Sequence, residues 1–216
     1  MIKVLVVDDH DLVRMGITRM LGDVSCFSIV GEADSGEAAI VQARALNPDV
    51  VLMDVRMPGI GGLEATRKLL QYDRNIRVIA VTACDEEPFP TRLMQAGAAG
   101  YVTKGAGLEE MVKAIRKVAQ GERYISPDIA QLLFARMYEP GEAGVFDSLS
   151  EREMQIALMI VSCEKVVSIS EKLHLSPKTV NTYRYRIFEK LNITSDVELT
   201  LLAVRHGMID TSLDQV

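Results

Sequence analysis

The sequence has few cysteines and no long apolar run, and both shortages exclude classes of protein. Its three cysteines, Cys26, Cys84 and Cys163, are widely spaced and form no CxxC pair or cysteine–histidine cluster. We therefore expect buried, reduced thiols and no zinc site. No apolar run approaches the roughly 18 residues that a membrane span needs, and Asp8-Asp9 come too early for a signal peptide. A cytoplasmic protein without membrane contact is expected.

The composition is that of a globular protein, with 48% hydrophobic and 25% charged residues in a chain of 216. This length allows one large domain or two small ones. The net charge of −6 argues against nucleic-acid binding when it is taken over the whole chain. The segment 176–191 reverses the sign locally, because it holds Lys178, Arg184, Arg186 and Lys190 against Glu189 alone. Nucleic-acid binding depends on how charge is distributed and not on the total, so the second half could still carry a nucleic-acid-binding surface.

From residue 1 to about 121, short apolar runs alternate with amphipathic stretches. Strands are predicted at 2–7, 27–33, 50–53, 78–81 and 100–103, and helices at 12–21, 35–46, 61–72, 91–96 and 108–119. Strict alternation with short connections predicts an α/β fold, a doubly wound parallel sheet covered by helices on both faces.

Polar side chains follow four of these predicted strands at the point where each strand ends. Asp8 and Asp9 come after the first strand, Asp54 after the third, Thr82 after the fourth and Lys104 after the fifth. The carboxyl ends of parallel strands lie at one edge of a sheet, where such folds place their ligands. Each residue alone would be ordinary in a loop, but together they predict a site for a hard cation such as Mg²⁺.

The first half resembles the receiver domain of response regulators in its motifs: Asp8-Asp9, Asp54 with Met57-Pro58-Gly59, Thr82-Ala83 and Lys104. The resemblance implies a flavodoxin-like fold with strand order 2-1-3-4-5. It also implies that Asp54 accepts a phosphoryl group from a histidine of a sensor kinase. Phosphorylation would draw Thr82 inward, and Tyr101 would rotate into the vacated space.

The same resemblance assigns the cation ligands. Mg²⁺ would be bound by Asp9, Asp54 and the backbone carbonyl of Arg56, with Asp8 acting mainly through water. Lys104 would supply a mobile positive charge for the phosphoryl oxygens.

Residues 122–147 differ in character from both flanks and are predicted to join two domains. Ser126-Pro127-Asp128 should start a short helix that continues to Met137, because a cap residue is followed by proline at the first helical position. The acidic, Pro/Gly-containing segment 139–144 should be a flexible tether. The predicted domains are therefore 1–121, the linker 122–147 and 148–216.

The second half is predicted to be all-α, with four helices. Ser150 with Glu153 forms a capping box, and Ser195 with Glu198 repeats the pattern before a last helix that ends at Gly207. Between them, a helix at 166–173 and a helix that starts at Ser176-Pro177 are joined by about three residues, which suggests a helix-turn-helix.

A helical wheel separates two faces of the helix after Pro177. The inward face is predicted to hold Val180, Tyr183, Ile187 and Leu191. The outward face is predicted to hold Lys178, Asn181, Thr182, Tyr185 and Glu189. This outward mixture of cation, amide, hydroxyl and phenol suits phosphates and base edges, although most amphipathic helices simply present such a face to solvent.

The second half resembles the LuxR/NarL type of DNA-binding domain in Leu149-Ser150-Glu151-Arg152-Glu153 and in the run from Ile169 to Tyr183. The resemblance implies base contacts by Asn181, Thr182 and Tyr185. It implies contacts to the DNA backbone by Lys178, Thr179, Arg184 and Lys190. It further implies dimerisation through Val197, Leu201 and Val204 of the last helix.

The two resemblances together predict a phosphorylation-dependent transcription regulator, most similar to the GacA/UvrY type of global regulator. That type implies a partner sensor histidine kinase, double-stranded promoter DNA of small regulatory RNA genes, and a homodimer after phosphorylation. Two other classes of protein compete with this prediction. A phosphohydrolase of the haloacid-dehalogenase kind needs an acid two residues after its aspartate nucleophile, where this chain has Arg56. A receiver-controlled protein-interaction module is harder to exclude. We predict a regulator and not an enzyme.

Overall fold

The chain folds into two compact units in the structure, a computed structural model that describes residues 1–82, 89–138, 145–206 and 208. The first unit takes in the described residues up to 138, and the second takes in those from 145 onward. No helix within these ranges is both long enough and apolar enough to cross a membrane.

The first unit is built on a six-stranded parallel sheet. Its strands are β1 (Ile2–Val7), β2 (Phe27–Ala33), β3 (Val50–Asp54), β4 (Arg77–Thr82), β5 (Gly100–Thr103) and β6 (Tyr124–Ile125), in the order β2-β1-β3-β4-β5-β6. The predicted doubly wound parallel sheet is confirmed, and a sixth strand extends the expected order at its β5 edge.

In the described part of this unit, six helices accompany the sheet: α1 (Asp11–Gly22), α2 (Gly36–Leu46), α3 (Gly61–Tyr72), α4 (Phe89–Gln95), α5 (Leu108–Ala119) and α6 (Pro127–Tyr138). All five residues of β3 are buried, and the four apolar ones alternate between two cores. Val50 and Leu52 face the core formed with α1 and α5, whereas Val51 and Met53 face the core formed with α2 and α3. This two-sided burial explains the continuous apolar run that ends at Asp54.

The first unit extends beyond the predicted boundary at residue 121. Tyr124 and Ile125 pair with Gly100 and Tyr101 of β5, and α6 contacts β5 and α4. The first part of the predicted linker is therefore built into this unit. A two-residue strand is too short for a periodic pattern to reveal it. The predicted tether at 139–144 lies outside the described residues.

The second unit is helical, as predicted. A 3-10 turn at Val145–Ser148 is followed by α7 (Glu151–Val161), α8 (Val166–Leu173), α9 (Pro177–Leu191) and α10 (Asp196–Arg205). Both α9 and α10 pack on α7, and α8 packs on α9. The predicted end of the last helix at Gly207 lies outside the described residues, and α10 ends at Arg205.

The two capping boxes differ. Ser150 and Glu153 form the complete reciprocal box. Ser195 accepts the N–H of Glu198, but the Glu198 carboxylate accepts the N–H of Thr194 at 2.7 Å and also its hydroxyl. In the second box, the glutamate therefore binds the residue before the capping serine and not the serine itself.

The expectation of buried thiols is wrong for both cysteines that the structure describes. Cys26 is half-buried, but Cys163 is exposed just after α7. Cys84 lies outside the described residues.

Candidate functional site

Adjacent parallel strands bring together the two acids that are most buried among the described residues. Val7 pairs with Met53 across β1 and β3, so Asp8 and Asp54, which follow them, lie side by side at the carboxyl edge of the sheet. Asp8 is 1% exposed and Asp54 is 2% exposed. Two carboxylates this deeply buried require a cation or a proton to balance their charge.

Lys104 supplies that cation. Its Nζ lies 2.8 Å from Asp8 Oδ2 and 2.9 Å from Asp54 Oδ2. Its backbone N–H donates to the carbonyl of Thr82 at 2.6 Å, which holds the end of β5 against the end of β4. The structure thus joins three of the predicted site residues directly.

Burial dominates the protonation behaviour of the site. It raises the pKa of Asp54 to about 6, while the charge of Lys104 opposes this rise and the charge of Asp8 adds to it. Burial alone would lower the pKa of Lys104, but its contacts with Asp54 and Asp8 prevail and raise it. The lysine is therefore charged at neutral pH, whereas the pKa of Asp54 lies at about 6.

The donor atoms around these acids suit a divalent cation. Ligand atoms of Asp8, Asp9, His10 and Asp54 lie within 4.8 Å of one another. Asp9 Oδ1 is buried and receives no hydrogen bond within the described part of the chain, although His10 Nδ1 lies 2.9 Å away. Clustered carboxylate oxygens are the ligands that Mg²⁺ prefers. The residues present therefore fit this cation. From the sequence alone, His10 is expected to be a rim residue beside the acidic pair. In the structure its side chain is exposed, and a ring nitrogen lies among these ligand atoms.

The loop after β3 is held close to Asp54. The backbone N–H of Arg56 donates to Asp54 Oδ1 at 3.3 Å. A Cβ at Gly62 would lie 2.0 Å from the carbonyl oxygen of Asp54, so only glycine permits this approach of α3. Glu37 of α2 accepts the N–H of Ile60 at 3.2 Å. No pattern in the sequence marks Glu37 or Gly62, because both act through contacts with distant or backbone atoms.

The two predicted switch residues are both inside the first unit. Thr82 at the end of β4 is 2% exposed, and Tyr101 of β5 is 1% exposed. Tyr101 pairs with Ala80, two residues before Thr82. Ala83 and the rest of the loop up to residue 88 lie outside the described residues.

Helix α9 presents most of the predicted DNA contacts on one side. Lys178, Thr182 and Tyr185 are exposed, whereas Thr179 and Asn181 are partly exposed. The inward face holds Val180, Ile187 and Leu191, as predicted. Tyr183 is only half-buried, and Phe188 is buried instead, because the packed stripe of this helix drifts toward position 188.

Two predicted DNA-backbone contacts are engaged inside the second unit. Arg184 forms an ion pair with Asp196, and Lys190 forms one with Glu153. Both pairs tie α9 to another helix. The prediction from the amphipathic pattern could not reveal these partners, which lie 12 and 37 residues away in sequence.

Helix α10 carries an exposed apolar stripe at helical spacing. Val197, Leu201 and Val204 are 69%, 54% and 36% exposed, and all three lie on one side of the helix. Apolar positions that repeat at this spacing are available for contact with another helix.

Comparison with known families gives one match in each half of the chain. Residues 4–116 match the response regulator receiver domain, and residues 147–203 match the bacterial regulatory proteins of the luxR family. The chain belongs to the LuxR family of response regulators. It therefore combines a receiver domain with a LuxR-type DNA-binding domain, and the carboxyl edge with Asp8 and Asp54 lies in the receiver.

Relatives of this response regulator match along nearly its whole length. Response regulator GacA of Pseudomonas protegens is 70% identical over 213 residues, which is 99% of this chain and 100% of that protein. Response regulator UvrY of Escherichia coli K12 is 56% identical over 209 residues, which is 96% of each chain. This LuxR-family regulator is thus a GacA/UvrY-like transcription regulator.

A solved structure of the response regulator RcsB in complex with DNA shares the fold. It is 22% identical, with a TM-score of 0.60, and the match covers 94% of this response regulator and 98% of that chain.

Proposed function

We propose that Asp54 accepts a phosphoryl group from a phosphohistidine of a sensor kinase and that this event controls promoter binding by α9. The buried group of Asp54, Asp8 and Lys104 carries the proposal. Two neighbouring carboxylates with one ammonium between them form a site in which one acid can react and the other charges can rearrange around the product.

The reaction requires a nucleophile and compensation of charge. A carboxylate oxygen of Asp54 forms the new bond to phosphorus, while the bond from phosphorus to the donor imidazole breaks in line with it. Lys104, already 2.9 Å from Asp54, provides positive charge for the phosphoryl oxygens, and the hydroxyl of Thr82 provides a hydrogen bond.

A divalent cation completes this site in the proposal. Asp9, Asp54 and the backbone carbonyl of Arg56 would hold Mg²⁺, with Asp8 contributing through water. When bound, Mg²⁺ offsets the negative charge that would otherwise repel the attacking carboxylate.

The switch follows from the new charge. An aspartyl phosphate adds up to about −2 charge and several acceptor atoms beside Thr82. Thr82 then moves toward the phosphoryl group, and Tyr101 packs into the space that Thr82 leaves. The surface around β4 and β5 thus exchanges between two packings, whose populations phosphorylation shifts.

Promoter recognition is assigned to the open side of α9. Asn181, Thr182 and Tyr185 would contact base edges, while Lys178 and Thr179 would contact phosphates near the helix start. The stripe of Val197, Leu201 and Val204 would pair with its copy in a homodimer, so that two copies of α9 reach half-sites about one helical turn apart.

The family supports a proposal about the targets and the cellular setting. We propose that the promoters include those of small regulatory RNA genes, and that the protein acts in the bacterial cytoplasm, where promoter DNA is found. An enzymatic role is disfavoured, because Arg56 occupies the position where an aspartate phosphohydrolase has its proton donor.

The test compares the wild-type chain with Asp54→Asn, and with Asp23→Asn, an exposed acid after α1, as a matched control. Each is incubated with labelled acetyl phosphate and Mg²⁺, and DNA affinity is measured before and after. We expect incorporation of label and a gain in affinity for the wild type and the control, but neither for Asp54→Asn. Equal labelling of Asp54→Asn would exclude Asp54 as the acceptor. A loss of promoter binding after charge reversal at Lys178 supports DNA recognition, whereas unchanged binding would favour a protein-interaction module.

A further inference from the structure

Arg184 and Asp196 form a two-pronged ion pair between α9 and α10. Arg184 Nε donates to Asp196 Oδ1 at 2.7 Å, and Arg184 Nη2 donates to Asp196 Oδ2 at 2.6 Å. The guanidinium also lies over the ring of Phe188, 5.3 Å from its centroid. A planar fork that meets a carboxylate with two parallel hydrogen bonds fixes orientation as well as distance.

The pair spans a turn whose two ends are already ordered. Asn192 ends α9 in the left-handed conformation with φ of 52°, and Asp196 is the first residue of α10. Ser195 and Glu198 organise the start of α10 through hydrogen bonds to backbone N–H groups. Because α9 and α10 both pack on α7, a direct bridge between them fixes the angle of one helix relative to the other.

This geometry conflicts with the role that the family resemblance implies for Arg184. Two of its N–H groups already donate to a carboxylate that neutralises its charge, and Asp196 would repel a phosphate brought to the same place. Arg184 is 29% exposed and Asp196 is 44% exposed, so the pair lies at the surface but is partly sheltered.

We infer that Arg184 and Asp196 form a clamp that positions the recognition helix α9 against the dimerisation helix α10, and that Arg184 acts through this clamp and does not contact DNA. The inference rests on the proposed function, because it takes α9 as the helix that enters the groove and α10 as the dimer contact.

The clamp matters when two half-sites are bound at once. In a dimer joined through α10, the angle between α10 and α9 sets the distance between the two recognition helices. Without the ion pair, the angle between α9 and α10 would vary more, and binding would have to restrict it. This lowers the effective concentration of the second helix at its half-site. Binding of one helix to one half-site requires no such order, so it should not depend on the clamp.

The experiment uses the full chain, treated with acetyl phosphate and Mg²⁺, and two DNA probes. The first is a duplex with paired half-sites that the wild type enriches from a randomised library, and the second is the same duplex with one half-site scrambled. The variants are Asp196→Asn, Arg184→Gln, their combination, and Arg184→Lys, which keeps the charge but loses the fork. Calorimetric unfolding confirms that each variant is folded.

We expect Asp196→Asn and Arg184→Gln each to weaken paired-site binding by roughly twofold to fivefold, the upper part of the range for an exposed ion pair. The combined variant should be no weaker than either single variant, because both remove the same interaction. Arg184→Lys should behave like Arg184→Gln. Affinity for the scrambled probe and the dependence of binding on salt should not change.

Two results would overturn the clamp. The first is paired-site binding by Asp196→Asn that equals or exceeds that of the wild type. The second is a pair of observations: Arg184→Lys binds with wild-type affinity, and Arg184→Gln has a slope of log affinity against log salt concentration that is smaller by about one. A smaller slope of this size indicates a lost phosphate contact. If the wild type itself does not prefer either probe over a fully scrambled duplex, the proposed function fails instead.

Discussion

Lys190 Nζ lies 2.6 Å from Glu153 Oε2 and 3.1 Å from the carbonyl oxygen of Ser148. This contact ties the last turn of α9 to the first turn of α7, where Glu153 also completes the capping box with Ser150. Burial alone would raise the pKa of Glu153, but hydrogen bonds from Lys190 and from the N–H of Ser150 lower it below its ordinary value of 4.5. Lys190 thus has a structural partner that the family resemblance does not indicate.

Replacement of Lys190 by glutamine should destabilise the second unit. Glu153 is 4% exposed, so loss of the ammonium leaves a buried carboxylate with fewer partners, at a cost of roughly 1–3 kcal/mol in the free energy of unfolding. A lowered pKa in the folded state stabilises the protein above pH 4.5, and this stabilisation is lost as the pH falls through the folded-state value. Calorimetry at several pH values should therefore show a smaller acid-induced loss for Lys190→Gln than for the wild type.

Lys178→Gln is the matched control for this experiment, since Lys178 is an exposed lysine on the same helix. It should unfold like the wild type at every pH. An equal loss of stability in both variants would assign the effect to the charge of α9 in general and not to the contact with Glu153.

Replacement of Lys104 by glutamine should make the stability of the receiver depend on Mg²⁺. Without the ammonium, Asp8 and Asp54 retain two buried charges at close range, so the metal-free variant should unfold at a lower temperature than the wild type. Mg²⁺ should stabilise the variant more than the wild type, because the same carboxylates then bind it without a competing cation. Thermal unfolding in chelator and in excess Mg²⁺ measures both effects. If Lys104→Gln unfolded identically with and without Mg²⁺, this would argue against a cation site at these acids.

Asp54→Asn should stabilise the metal-free protein at neutral pH. The pKa of Asp54 rises from an ordinary 3.8 to about 6 in the folded state, so folding is penalised once the pH exceeds both values. The stability of the wild type relative to Asp54→Asn should therefore fall as the pH rises through 6, by roughly 1–3 kcal/mol in total. Urea unfolding in chelator between acid and neutral pH tests this. The prediction would be wrong if the stability advantage of Asp54→Asn over the wild type grew as the pH was lowered.

The convergence of Asp8, Asp54, Thr82 and Lys104 could be predicted because it follows from topology. Once alternating patterns indicate parallel strands, the residues that end them must share an edge, whatever the side-chain details. The contact of Glu37 with Ile60 has no such basis. It joins positions 23 apart through a side chain and a loop backbone, and no periodicity marks either residue.

The polar side of α9 shows a second limit. The wheel separates buried from exposed positions well, because burial of Val180 and Ile187 follows from helical geometry. The wheel does not distinguish Lys178 from Arg184, although Arg184 forms an ion pair with Asp196 of α10 in the structure. The pattern gives the direction of a side chain, whereas its partner depends on tertiary packing.

Lys178 is the cation of α9 best placed to contact a phosphate, because it lies exposed in the first turn beside Thr179, where backbone N–H groups also favour anions. A phosphate contact contributes to all sequences alike, so Lys178→Ala should weaken binding to specific and scrambled duplexes by similar factors. It should also lower the slope of affinity against salt concentration by about one, since one fewer counterion is released. Lys3→Ala, an exposed lysine of the receiver, should leave the slope unchanged. Titrations of both duplexes at several salt concentrations measure these effects. A loss confined to one base position would instead assign Lys178 to base recognition.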